Sequence, residues 1–355
     1  MFSKRILLFL LAAITVFSVI GCGSANDETS KFEVSIPVLS TEETKPELEP
    51  GYVFSPLTGL PVKEEIGTLR PVGFQVDNER IARPQCGISM ADVVYEVPIE
   101  ANEVRLTAIF QDLSVVDRVG PLRSCRKYHP GILAEYEGIL VHNGHSKYAV
   151  ANLNDDMCDD IELVNKDYDT QFRSDDHKTG HNNFTNKEKL EKRFKHYGFE
   201  RMLSSDFTYK FLFAKNDEPN LLPQGKIANK VETGYTQNHS YFEYNEGDGL
   251  YYRYAWGDKH IDGDTDKQIA VKNIIIEYCK YDIESDHKNK DIHTVGSGKG
   301  AFVTNGKVVN ITWEKDGYWD NTHYYYENGE EIMLNPGKSW VCIVLPSMTG
   351  ECKFS

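Results

Sequence analysis

Six polar residues, Asp77, Asn78, Glu100, Arg105, Arg123 and His142, stand at or near the ends of short apolar runs. In an α/β scaffold those ends carry the site, because strands fix the side chains while loops leave them accessible. Three arginines from separate segments, Arg83, Arg105 and Arg123, can converge as planar forks on a carboxylate or phosphate. The same arginines can instead pair internally with Asp77, Asp92, Glu96 or Glu100, and the sequence leaves both arrangements open. His181 and Asn182 are read into the same cleft. With an anionic group held by the arginines, Asp77 or Glu100 would serve as acid or base and His142 as proton shuttle.

Other patterns carry less chemistry. The run from Gly138 through His142 and Gly144 to Ser146 has the strand-turn-helix context of a nucleophile elbow. Tyr148 stands where that turn needs glycine, so Ser146 reads as a helix N-cap. His177 and His181 have metal-ligand spacing, but Gly180 between them and the missing glutamate argue against a metalloprotease helix. Asp262-Gly-Asp264-Thr-Asp266 alternates acids like a calcium loop. Lys267 takes its glycine position and Asn273 its final glutamate, so a hairpin turn is expected instead. Gly296-Ser-Gly-Lys-Gly300 lacks P-loop spacing and is expected to lie between strands as a bulge or tight bend. No spacing in the chain names a metal site or a cofactor.

The elements that must position these residues follow from hydrophobic pattern. Runs at Pro71 to Val76, Asp92 to Pro98, Val104 to Leu113 and Gly138 to His142 are β-branched or aromatic and short, which predicts strands. Helices are expected around Ile132 to Tyr136, with Pro130 in the first turn, and over Ser146 to Leu153. A third begins at the Thr185-Asn-Lys-Glu188 capping box and stops at Gly198. After a linker at about 216–225 strands dominate, with hairpin turns at Gly247-Asp-Gly249, Asn305-Gly306 and Asn328-Gly329. The expected fold class is α+β: a mixed α/β domain over 51–215, then a small all-β barrel or sandwich over 226–355. The four tryptophans, Trp256, Trp313, Trp319 and Trp340, all fall in the second part, as core or as a stacking platform for sugars.

The N-terminus addresses the compartment. Lys4 and Arg5 precede an apolar run from Ile6 to Ile20, and Gly21-Cys22 closes it as a lipobox. Residues 1–21 are expected to be a signal peptide, Cys22 the lipidated (palmitate-type) residue, and 22–50 a disordered acidic tether. The chain is then extracytoplasmic and held to the membrane by its N-terminal lipid. Residues 1–21 hold two cations and no acid, so the remainder carries 37 basic against 54 acidic side chains, a net of −17. That balance disfavours nucleic acid as a partner. Six further cysteines can pair or remain buried thiols; Cys342 and Cys352 are near enough in sequence for a local clip.

Several phrases, read together, resemble one family. In the first part these are Ser55-Pro-Leu-Thr-Gly-Leu-Pro61, Arg70-Pro-Val, Asp77-Asn78, Ala82-Arg-Pro-Gln85, Ala91-Asp-Val-Val-Tyr-Glu96, Arg105 before Ala108-Ile-Phe110, Gly120-Pro-Leu-Arg-Ser124 and His181-Asn182. In the second they are Gly296-Ser-Gly-Lys-Gly300, Thr304-Asn-Gly-Lys307, Ile311-Thr-Trp-Glu-Lys315 and Asn335-Pro-Gly-Lys-Ser-Trp340. The combination is similar to the YerB-type bacterial lipoproteins and covers most of residues 51–346. It implies a two-domain lipoprotein at the bacterial surface and no established reaction. Cys125, where a small residue is usual, and Pro130, inside what is usually a continuous helix, depart from the pattern.

Two functions fit this reading. One is a surface-anchored binding or scaffold protein in cell-envelope or peptidoglycan maintenance, partnered by an envelope protein or a peptidoglycan fragment. The other is an enzyme acting on an anionic wall component through the first-part cleft.

Overall fold

The computed structural model describes residues 48–154, 157–164 and 169–355. The signal segment, Cys22 and most of the tether lie outside the described residues. The apolar runs form β1 (Val72–Val76), β2 (Val93–Pro98), β3 (Val104–Phe110), β4 (Ile139–His142) and β5 (Asp160–Glu162). Later come β6 (Lys226–Ile227), β7 (Lys230–Thr233), β8 (Tyr241–Asn245), β9 (Leu250–Ala255) and β10 (Asn273–Tyr278). The last are β11 (Gly296–Thr304), β12 (Lys307–Lys315), β13 (His323–Tyr326), β14 (Ser339–Val344) and β15 (Cys352–Phe354). Helices α1 (His129–Ala134), α2 (Val150–Asn154) and α3 (Lys187–Tyr197) lie between β3 and β6.

One eleven-stranded sheet organises the molecule, in the order β6-β12-β11-β10-β14-β2-β3-β1-β4-β5, with β13 also on β12. Its joint is β14. Trp340 lies opposite Ile274 of β10 on one side and Val94 of β2 on the other, both in parallel pairing. Every residue of β1, β2, β3 and β14 is buried, which is why these strands read as continuous apolar runs rather than alternations. A second sheet carries β9, β8, β7 and β15 in that order. It packs over β14, with Phe242 edge-on to Trp340 at 5.6 Å.

The two expected parts share one sheet. The strands from 226–355 continue the sheet of the first part, and Pro46–Ser355 forms one compact unit. Its cause is β14, which pairs with β10 of its own half along one edge and with β2 along the other. The fold is mostly β with few helices. Among the described residues only α3, with 11 residues, exceeds six.

Local chemistry explains the other departures. In α3 the cap is Asn186, whose Oδ1 accepts from Lys189 N at 3.1 Å, one residue later than the capping box implies. Ser146 caps nothing: α2 starts at Val150 and the buried Ser146 Oγ has no partner. Gly296 to Gly300 open β11 itself rather than a bend, and a Cβ on Gly298 would meet Trp313 Nε1 at 2.5 Å, so glycine admits the indole. Asn305 and Gly306, both at positive φ, turn the β11-β12 hairpin as expected. The Asn328-Gly329 turn closes only a single bridge, because Met333–Leu334 pairs instead with Leu212–Phe213. Asp262 does form a turn, accepting from Asp264 N and Thr265 N. All six cysteines among the described residues are free, so Cys342 and Cys352 are not clipped. Trp313 and Trp340 are core, whereas Trp319 is exposed.

Candidate functional site

The parallel strands β1 and β4 part at their C-terminal ends, and residues 121–125 pass between them. Arg123 N donates to Gln75 O at 2.9 Å, Asn143 N to Arg123 O at 2.9 Å, and Cys125 N to Gly144 O at 3.0 Å. Asp77 N donates to Pro121 O at 2.8 Å, so Asp77, the residue after β1, and the inserted Arg123 meet in the split between the two strand ends, here termed the crevice. Parting strand ends are where open sheets bind ligands.

At the centre Asp77, itself buried, accepts from Arg123 Nε at 2.6 Å through Oδ2 and from Glu79 N at 3.0 Å through Oδ1. His181 Nδ1 lies 2.8 Å from Asp77 Oδ2 and 2.9 Å from Arg123 Nη2. The Glu79 carboxylate is 3.8 Å from Arg123 Nη2. Burial, and then Asp77 and Glu103, push Glu79 above the usual carboxylate range. Asp77, Glu79 and His181 present ligand atoms within 4.8 Å of one another and could hold a cation. The Arg123 guanidinium already supplies positive charge at that point.

Beside this cluster Glu100 takes a bidentate pair from Arg126, at 2.5 and 2.6 Å. Burial opposes that charge, but Arg126 outweighs it and holds Glu100 below its ordinary range. Arg105, 6% exposed, donates from Nη1 to Ser124 O at 2.5 Å, the carbonyl that Arg126 Nη1 also reaches at 3.2 Å. Its Nε is buried without a partner, and among the described residues no carboxylate lies within ion-pair distance of it. Burial, and then Arg126, pull its pKa down to about 10.

The sequence-predicted residues therefore separate. Asp77, Arg123 and His181 touch, and Glu100 and Arg105 adjoin them. The other four are bonded elsewhere. Asn78 turns inward to Glu96 Oε1 at 3.2 Å. Arg83 donates to the carbonyls of Ala255 and Lys259, both at 2.7 Å, so the three arginines do not meet on one anion. His142 is fully buried between Gly144 O, 2.8 Å from Nδ1, and Asp160 Oδ2, 3.0 Å from Nε2. Burial opposes its protonation, but Cys125 and Asp160 outweigh that and raise it to about 10; with both nitrogens engaged it cannot shuttle protons in the crevice. Asn182 accepts from Arg173 Nη1 at 2.9 Å and braces its loop. His177 bonds Asp176 and Pro84 O, away from His181. Glu79 and Arg126 were not singled out from the sequence; their only signal is proximity to Asp77 and Arg123.

A buried network from the second half holds the crevice in place. Glu96 accepts from Arg253 Nη2 at 2.7 Å, Asn238 Nδ2 at 2.8 Å and Trp340 Nε1 at 3.2 Å. Arg253 also contacts His260, whose Nε2 lies 2.7 Å from Gln85 Oε1. Gln85 Nε2 in turn donates to Asp77 O at 2.9 Å. Arg253 Nη1 and Nη2 are both engaged in this network, whereas its Nε is buried without a partner.

Residues 57–200 match the family described as protein of unknown function (DUF3048), N-terminal domain, and residues 231–341 its C-terminal domain. YerB of Bacillus subtilis (strain 168), a candidate lipoprotein by its name, is 29% identical over 299 residues, which are 82% of this chain and 86% of that one. The crystal structure of YerB from Bacillus subtilis superposes with a TM-score of 0.74 at 28% identity, covering 85% of this chain and 99% of that one.

Proposed function

Because the chain belongs to the YerB-type bacterial lipoprotein family, with both DUF3048 domains, we propose that it is a surface-anchored binding protein of the cell envelope. Its crevice takes an anionic group, such as a carboxylate of a peptidoglycan fragment, on Arg105 with Arg123 and Arg126 around it. Cys22 carries the lipid after removal of residues 1–21, and the tether lets the crevice reach the wall.

Arg105 is the observation that supports this reading. The two carboxylates whose fields reach it, Asp77 and Glu100, are already bonded by Arg123 and Arg126. A buried guanidinium with one carbonyl partner is unfavourable by several kcal/mol unless an anion completes it. A bound carboxylate would satisfy its free N–H groups in fork geometry. The Asp77-His181 contact supports the second reading, hydrolysis of the same ligand, with His181 oriented as base in place of the buried His142.

Titration calorimetry with soluble muropeptides tests the proposal. Saturable binding is expected, weakening at least about tenfold when the muropeptide carboxylates are amidated. Equal affinity for both forms, or none for either, would refute it. Release of cleaved product during the titration would favour the hydrolytic reading.

A further inference from the structure

A second surface is built for a different ligand. A groove of about 1300 Å³ lies along the outer edge of β12, between the 218–227 segment and the turn after β13. On that edge β6 pairs with Lys307 and Val308, and β13 pairs with Ile311 to Glu314. The inner edge of β12 is fully paired with β11. In an antiparallel ladder that starts from a two-residue turn, alternate residues direct both backbone groups outward: here Val308, Asn310, Thr312 and Glu314. Val308, Thr312 and Glu314 have a strand opposite; Asn310 has none. Its N–H and C=O open into the groove.

The groove walls have a definite chemistry. Leu221, Ile227 and Met333 line it and are 58%, 67% and 48% exposed, high values for side chains of this kind. Glu218, Glu327 and Glu330 stand around it against one cation, Lys226. Between β6 and β13 the single outward-facing position of Asn310 leaves one pair of backbone groups, flanked by apolar side chains, that an extended segment crossing the groove can bond. A second copy of this chain, at −17, is electrostatically disfavoured there. We infer that the groove binds an extended segment of a partner protein in which apolar residues alternate with lysine or arginine. The segment pairs its backbone with Asn310 and seats apolar side chains on Leu221 and Ile227.

The test is fluorescence anisotropy of the labelled peptide acetyl-Lys-Val-Lys-Val-Lys-amide with the full chain in detergent. Saturable binding is expected. Methylation of the central residue's backbone nitrogen, replacement of every lysine by glutamate, and the Leu221→Ser and Ile227→Ser variants should each weaken it at least about tenfold. Both side chains are largely exposed, so melting of the variants should be unchanged. Arg105→Met should leave peptide binding as it is, which separates this surface from the crevice. No saturable binding, or equal affinity for the N-methylated peptide and for Ile227→Ser, would overturn the inference.

Discussion

Arg105 and Arg253 are both buried arginines, and their surroundings predict opposite responses to truncation. Arg253 neutralises Glu96 at 2.7 Å in a fully buried network. Arg253→Met strands that carboxylate and should cost about 3–5 kcal/mol in denaturant unfolding. Arg105 leaves no bonded carboxylate behind, so Arg105→Met removes an unsatisfied charge and should change stability by less than about 1 kcal/mol, or raise it. A loss for Arg105→Met as large as that for Arg253→Met would make its guanidinium structural. The sequence offers the two on equal terms, as arginines in apolar strands. The same ambiguity misdirects Asn78 and His142, because a polar residue in an apolar run marks a satisfied interior network as readily as a binding site. Asp77 and Arg123 were legible because the end of β1 and a Gly-Pro turn both place side chains at a strand's mouth. Glu79 and Arg126 look like any surface charge until the loop between β1 and β4 is seen.

Among the elements, α1 and β12 are locked by Glu135, which accepts from Lys210 and Lys315 in the interior. Burial opposes the Glu135 charge, but the two lysines outweigh it and bring it from the ordinary 4.5 down to about 2. A depressed carboxylate contributes stability that is fully present above its unfolded value. That contribution is therefore lost as pH falls from 4.5 to about 2. Denaturant melts across this range should show a decline that Glu135→Gln flattens; equal slopes in both proteins would contradict the assignment. Short strands were legible from β-branched runs, and α3 from its periodicity and Gly198. The helix cap was displaced by one residue because adjacent Thr185 and Asn186 are both competent caps.

At the scale of the whole molecule, β14 makes one unit of what reads in sequence as two. Pairing between β2 and β14 joins distant parts of the chain, and no local pattern encodes such a contact. A fragment from residue 226 onward loses the β2 edge, and with it the cover over Val341 and Cys342. It should therefore bind ANS and melt without cooperativity; a sharp melt would show that the second half closes its own core. Arg253 and His260 of the second half also brace Asp77, through Gln85 of the first half. The central claim is that Arg105 is kept charged and unpaired to receive an anion, and thermal melts with and without muropeptide test it most directly. At about 100 times the dissociation constant, ligand should stabilise the wild-type chain by about 2.7 kcal/mol and leave Arg105→Met unshifted. Equal stabilisation of both proteins, or of neither, would contradict the account.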